Sequence, residues 1–141
     1  SRRIRADFLY EPEATDVTTP PAQAFAERRG VCQDFAHVMI SGLRGLGVPA
    51  RYVSGYIRTI PPEGEPRLEG ADATHAWVEA WCGPRTGWVG FDPTNAILAG
   101  GDHIEAALGR DFSDVSPIHG VVLGAGEQTL SVAVDVIPLE A

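Results

Sequence analysis

Two short runs of alternating residues, separated by four turn-forming ones, constrain this chain more than any other feature. From His75 to Cys82, the residues His75, Trp77, Glu79 and Trp81 point one way, while Ala76, Val78, Ala80 and Cys82 point the other. Gly87 to Asp92 alternates too. Gly83-Pro84-Arg85-Thr86 supplies the turn, so the two runs predict an antiparallel hairpin. Pairing Cys82 with Gly87 sets Trp77 opposite Asp92 and His75 opposite Thr94. His75 and Asp92 then lie diagonally on one face, roughly 7 to 8 Å apart at the backbone, within reach of these side chains.

The rest of the chain is organised around that hairpin. Pro20 and Pro21 fall at the first turn of a short helix through Arg29, with Thr19 as candidate N-cap and Gly30 as its stop. Phe35, Val38, Met39, Leu43 and Leu46 recur at three- and four-residue steps. They predict a helix over about residues 32–46 with one apolar face. Ala50 to Arg58 reads as a strand. The acidic, Pro- and Gly-rich stretch 59–74 has no periodicity, and a loop that long is expected to be a lid or disordered. Past Pro93, Ile104 to Leu108 reads as a helical turn, and Gly120–Gly124 and Thr129–Leu139 as two more strands. Helices followed by strands indicate an α+β domain with a mainly antiparallel sheet.

Composition narrows the function. The chain has 141 residues, of which 44% are hydrophobic, enough for one domain with a real core over 1–141. The opening Arg2-Arg3-Ile4-Arg5-Ala6-Asp7-Phe8 looks like the tail of an element already under way, so an excised fragment is expected. The net charge of -8 argues against a nucleic-acid partner. No apolar run approaches the roughly 20 residues of a membrane span and no charged-then-apolar leader is present in these residues, so no membrane association is expected. All 11 basic residues are arginine, which with abundant Gly, Ala and Pro suggests a GC-rich bacterial genome. Cys32 and Cys82 do not form a disulfide framework, and a reducing, cytoplasmic location is expected. No pair among Cys32, Cys82, His37, His75, His103 and His119 has the spacing of a metal site, and no metal or other cofactor is expected.

Cys32 sits where the glycine-ended turn at Gly30 gives way to the apolar-periodic helix. A thiol there faces the positive end of the helix dipole and unpaired backbone amides, which favour the thiolate. Cysteine acyl chemistry needs such a thiolate, an imidazole to share and return its proton, and a group that fixes the imidazole tautomer. Cys32, His75 and Asp92 fill those roles, with the Cys32 backbone N–H as an oxyanion donor. The bland alternative is a small buried cysteine in a non-catalytic domain.

Neighbouring residues are weaker candidates. His37 lies about 140° around the helix from Cys32 and is expected to make a structural hydrogen bond, while Asp34 is expected to cap the helix or pair with an arginine. Gln33 can lend an amide beside the thiol. Trp77 shares the face of His75 and Trp88 that of Asp92, so both can wall the cleft or simply pack. Arg110, Asp111 and Asp114 are expected to form a local salt bridge or cap. His103 and His119 show no partner pattern and are expected in loops or at the surface.

Three blocks bring these residues into a known pattern: Gly30-Val31-Cys32-Gln33-Asp34-Phe35-Ala36-His37, Thr74-His75-Ala76-Trp77-Val78-Glu79 and Gly87-Trp88-Val89-Gly90-Phe91-Asp92-Pro93-Thr94. The chain resembles the catalytic core of the bacterial transglutaminase-like superfamily, papain-like in fold. Residues 47–56 and 109–117 also match the bacterial branch. The resemblance implies a catalytic Cys32, His75 and Asp92, with the cysteine helix packed on an antiparallel sheet, and a β-rich region preceding the segment that opens here. Nothing matches the calcium sites of animal relatives. The implied reaction transfers an acyl group from a peptide or protein amide through a thioester. Water as acceptor makes the chain a peptidase or amidase, the favoured reading. An amine makes it a protein-glutamine transglutaminase, and a third alternative is a non-catalytic peptide-binding module of the same fold. Substrate, acceptor and oligomeric state are not legible.

Overall fold

The alternation that predicts the hairpin organises the sheet. In the computed structural model, which describes residues 1–12, 14–59, 63–64, 74–116, 120, 123–124 and 132–139, strands β4 (Thr74–Trp81) and β5 (Trp88–Asp92) pair antiparallel with Val78 opposite Phe91. That is the register expected from the sequence, and the Cys82 N–H donates to the Gly87 carbonyl at 2.8 Å. β4 also pairs with β3 (Ala50–Ile57), β5 with β6 (Ile97–Leu98), and β3 with β7 (His103–Gly109). The five antiparallel strands run in the order β6-β5-β4-β3-β7.

Helix α3 (Cys32–Gly45) lies against β3 and β4 because its apolar stripe matches one face of the sheet. Ala36 and Ile40 pack there with Ala50, Tyr52, Ala76, Val78 and, from helix α4 (Phe112–Val115), Val115. The start of α3 is fixed by Asp34. Its buried carboxylate accepts the Val31 N–H at 2.8 Å and the Thr15 hydroxyl at 2.6 Å, so it caps the helix as expected. Gly30 makes room for this cap: a Cβ there would meet Asp34 Oδ2 at 2.5 Å.

Helices α1 (Arg2–Asp7) and α2 (Pro21–Glu27) precede α3. Phe8 is buried between them and α3, with its ring edge-on to Phe35 at 5.7 Å. Thr19 is not the cap of α2. Its hydroxyl accepts the Asp16 N–H at 3.0 Å, and Pro20 occupies the N-cap position. The helix also stops before Gly30: Arg28 turns left-handed at φ 57°, which frees Arg29–Gly30 to form strand β2 beside β1 (Leu9–Tyr10).

Two other expectations fail. His103–Gly109 is a strand, because Ala, Glu and Leu carry helical preference but pairing along β3 overrides it. None of residues 120, 123, 124 and 132–139, the described parts of the two expected C-terminal strands, is in a strand, and the sheet edge beside β3 is formed by β7. Most of the expected lid lies outside the described residues, as does His119. Among the described residues no helix is long and apolar enough to cross a membrane.

Candidate active site

Each of the three triad candidates is delivered by a different element. Cys32 is the first helical residue of α3, where its amide has no carbonyl acceptor within the helix. His75 is the second residue of β4 and Asp92 the last of β5. Cys32 and His75 line one cavity of about 530 Å³, and the thiol lies close enough to the imidazole to help raise its pKa. On its other side, His75 Nε2 meets Asp92 Oδ2 at 2.9 Å, so the diagonal relation brings the two together.

Asp92 is fully buried and carries a network larger than a triad. Oδ1 accepts the backbone N–H groups of Thr94 at 2.9 Å and Asn95 at 3.1 Å. Oδ2 accepts from His75, from the Asn95 side-chain amide at 2.7 Å, and from His103 Nε2 at 3.2 Å. Burial alone would favour the neutral acid, but the bonds from His75 and Asn95 outweigh it and hold the carboxyl well below the usual range.

His75 shows the converse. Burial works against its charge, yet the bonds to Asp92 and Cys32, with their negative charges, raise its pKa to about 9. The imidazolium is therefore the stable form of His75 at neutral pH. Burial, reinforced by the negative charge that Cys32 carries when ionised, pushes the phenols of Tyr10 and Tyr52 upward, so both stay protonated.

His103 is the residue that sequence reasoning misplaced. It was expected in a loop or at the surface, but it starts a strand, and its side chain is only 3% exposed and touches Asp92. It starts β7, two strands away from β4, and reaches the site because the segment before it crosses the sheet. Ala99 N–H bonds to the Gly90 carbonyl at 3.0 Å, and a Cβ on Gly90 would strike Ala99 at 2.6 Å. Asn95 was also missed, although Asp-Pro-Thr-Asn is a turn signature that predicts local bonds to the aspartate. The ligating atoms of His75, Asp92 and His103 lie within 4.8 Å of one another, a possible metal grouping, but hydrogen bonds among them already account for the cluster.

The flanking candidates separate. Trp77 is buried, stacks on His75 at 6.2 Å between ring centroids and meets His103 edge-on at 5.2 Å, closing the back of the site. Trp88 does not wall the cleft. It packs on Trp81 at 5.6 Å beneath the Arg51 guanidinium, because alternation gives its face while four residues of strand, about 13 Å, separate it from Asp92. Gln33 is at the cavity rim, its amide 3.5 Å from the Val17 carbonyl. His37 accepts the Phe112 N–H at 3.2 Å, the structural bond expected, and burial lowers its pKa. Arg110 and Asp114 form a two-point pair at 2.8 and 2.7 Å, and Asp111 caps α4 through the Ser113 N–H.

Comparison with known proteins gives the family of the chain. The model of the transglutaminase-like superfamily matches residues 1–93. An uncharacterized protein of Mycobacterium tuberculosis is 43% identical over 142 residues, covering 98% of this chain and 45% of that protein. A protein-glutamine gamma-glutamyltransferase of Pseudomonas aeruginosa is 38% identical over 72% of this chain and 16% of its own length. The chain thus spans less than half of the curated relatives it matches. A crystal structure from Cytophaga hutchinsonii, provisionally assigned as a cysteine protease, superposes with a TM-score of 0.66 at 33% identity, covering 80% of this chain and 35% of that one. The family match takes in both Cys32 and Asp92, and the chain belongs to the transglutaminase-like superfamily.

Proposed function

We propose that this chain is the core of a thiol-dependent acyl-transfer enzyme that cleaves or exchanges amide bonds through Cys32, His75 and Asp92. The observation that carries the reading is His75, held between the thiol and a buried carboxylate with its pKa raised to about 9. A thiolate and imidazolium pair is the reactive form of such a site.

The Cys32 sulfur attacks the amide carbonyl, and the oxyanion receives the Cys32 N–H. As the C–N bond breaks, His75 gives its proton to the departing amine, leaving a thioester. An acceptor then attacks the thioester carbonyl and returns a proton to His75, the S–C bond breaks and the thiolate is restored. Asp92 keeps the Nε2–H of His75 directed inward throughout, so the other ring nitrogen faces sulfur.

The cavity supports a neutral substrate. Ser54, Gly55, Ala76, Ala106 and Ala107 give it a small-residue wall, and among the described residues its one carboxylate, Asp114, is already paired with Arg110. Peptide and protein amides fit this chemistry. Water is the favoured acceptor, because Cys32 is half-buried and Thr74 at the same cavity is exposed. The likeness to a gamma-glutamyltransferase supports an amine as the second reading. Ammonia release measured beside incorporation of a labelled amine, with Cys32→Ala as control, separates the two. Equal turnover in that variant would remove Cys32 as nucleophile.

A further inference from the structure

We propose that His103 is a positioning residue of this site, a neutral imidazole whose Nε2–H holds Asp92 Oδ2 in line with His75. The proposal rests on the acyl-transfer reading and extends it to a residue outside the 1–93 span that matches the family model.

The tautomer follows from the two bonds the ring makes. The Gly100 N–H points at Nδ1 at 3.4 Å, so Nδ1 is the acceptor and the proton is on Nε2, which meets Asp92 Oδ2 at 3.2 Å. A ring accepting at one nitrogen and donating at the other is neutral. Oδ2 therefore takes donors from His75, Asn95 and His103, while Oδ1 takes two backbone amides. Five donors leave the carboxylate no freedom to rotate away from His75. Asn95 and the two amides all come from the turn after Asp92, so among the described residues His103 is the donor that anchors the carboxylate from the far edge of the sheet.

The fold is arranged to deliver that ring. At the β3–β7 pairing the register shifts between Ser54 and Gly55, and a Cβ on Gly55 would lie 2.1 Å from the Ile104 carbonyl oxygen and 2.7 Å from the Trp77 ring. Only a glycine lets β7 come this close. The Arg58 N–H donates to the Asp102 carbonyl at 2.9 Å and the two side chains are ion-paired, which pins the residue before His103. His103 is absent from the cavity lining, so it acts through Asp92 rather than on substrate.

The alternative role, packing of the ring against Trp77, is separable by two substitutions. His103→Phe keeps an aromatic ring on Trp77 and removes the donor, whereas His103→Gln removes the ring and keeps an amide donor. The probe is iodoacetamide alkylation of Cys32 at pH 7, resolved by peptide mass spectrometry, with the exposed Cys82 as internal reference. In the unmodified protein Cys32 should react faster than Cys82. His103→Phe slows Cys32 about tenfold, the loss typical of removing an outer orienting partner, and leaves Cys82 unchanged, while His103→Gln restores most of the rate. If Cys32 of the unmodified protein reacts no faster than Cys82, the acyl-transfer reading itself falls. If Cys32 is fast but His103→Phe matches the unmodified protein, or His103→Gln falls as far as His103→Phe, only the role of His103 falls. The 15N shifts of the unmodified protein give a test without any variant: Nδ1 protonation of His103 at pH 7 would overturn the proposal.

Discussion

His75 Nε2 lies 2.9 Å from Asp92 Oδ2, and Asp92 is completely buried. A buried charge of this kind is tolerated because every oxygen lone pair finds a donor. Asp92→Asn keeps the shape but removes the charge that sustains the imidazolium. Turnover should fall about 10³- to 10⁴-fold, as when an orienting carboxylate is neutralised in other triads, and the His75 titration followed by NMR should move below its value of about 9.

The same pair gives stability a defined pH range. The pKa of His75 is raised from 6.5 to about 9, so its contribution is complete below 6.5 and is lost as pH climbs through 9. Asp92 is shifted downward, so its contribution is present above the ordinary carboxylate range, near 3.8, and is lost as pH falls below it. Urea midpoints measured across pH should form a plateau between these limits. A midpoint unchanged from pH 6 to 10 would deny the His75 ion pair.

Asp34 is the residue on which the nucleophile helix depends. Removing its carboxylate in Asp34→Ala strands the Val31 N–H and the Thr15 hydroxyl, at a cost of about 1 to 3 kcal/mol. Urea unfolding measures this directly. Because Val31 precedes the thiol, Cys32 alkylation should also slow.

Trp77 and Trp88 look equivalent in sequence and should behave differently. Trp77→Ala opens a cavity behind His75 and His103, costing about 3 to 5 kcal/mol with loss of turnover. Trp88→Ala removes an exposed ring from the Trp81 and Arg51 cluster and should leave turnover unchanged. Parallel melts and rate measurements distinguish the two.

What could be read from the chain was whatever is fixed by local periodicity. The hairpin register follows from period-two alternation and one turn, and that register alone brings His75 onto the same diagonal as Asp92. The helix that carries Cys32 follows from spacing of Phe35, Val38, Met39 and Leu43, and Asp34 was legible as its cap. His103 was not legible. It reaches Asp92 from the far edge of the sheet through a segment held by Gly90 and Ala99, a contact that no periodicity encodes. Trp88 shows a second limit, since alternation fixes the face of a strand and not the distance along it. The helical reading of Ile104–Leu108 failed because edge pairing with β3 outweighs intrinsic preference.

The proposed acyl-enzyme forms on Cys32 with His75 as its proton partner. Treating the protein with p-nitrophenyl acetate and mapping the adduct by peptide mass spectrometry tests it most directly. An acetyl thioester should appear on Cys32, slow markedly in His75→Ala and vanish in Cys32→Ala while Cys82 behaves alike in all three. Acetylation that spares Cys32, or proceeds on it at the same rate without His75, would exclude the Cys32–His75 pair as the reacting groups.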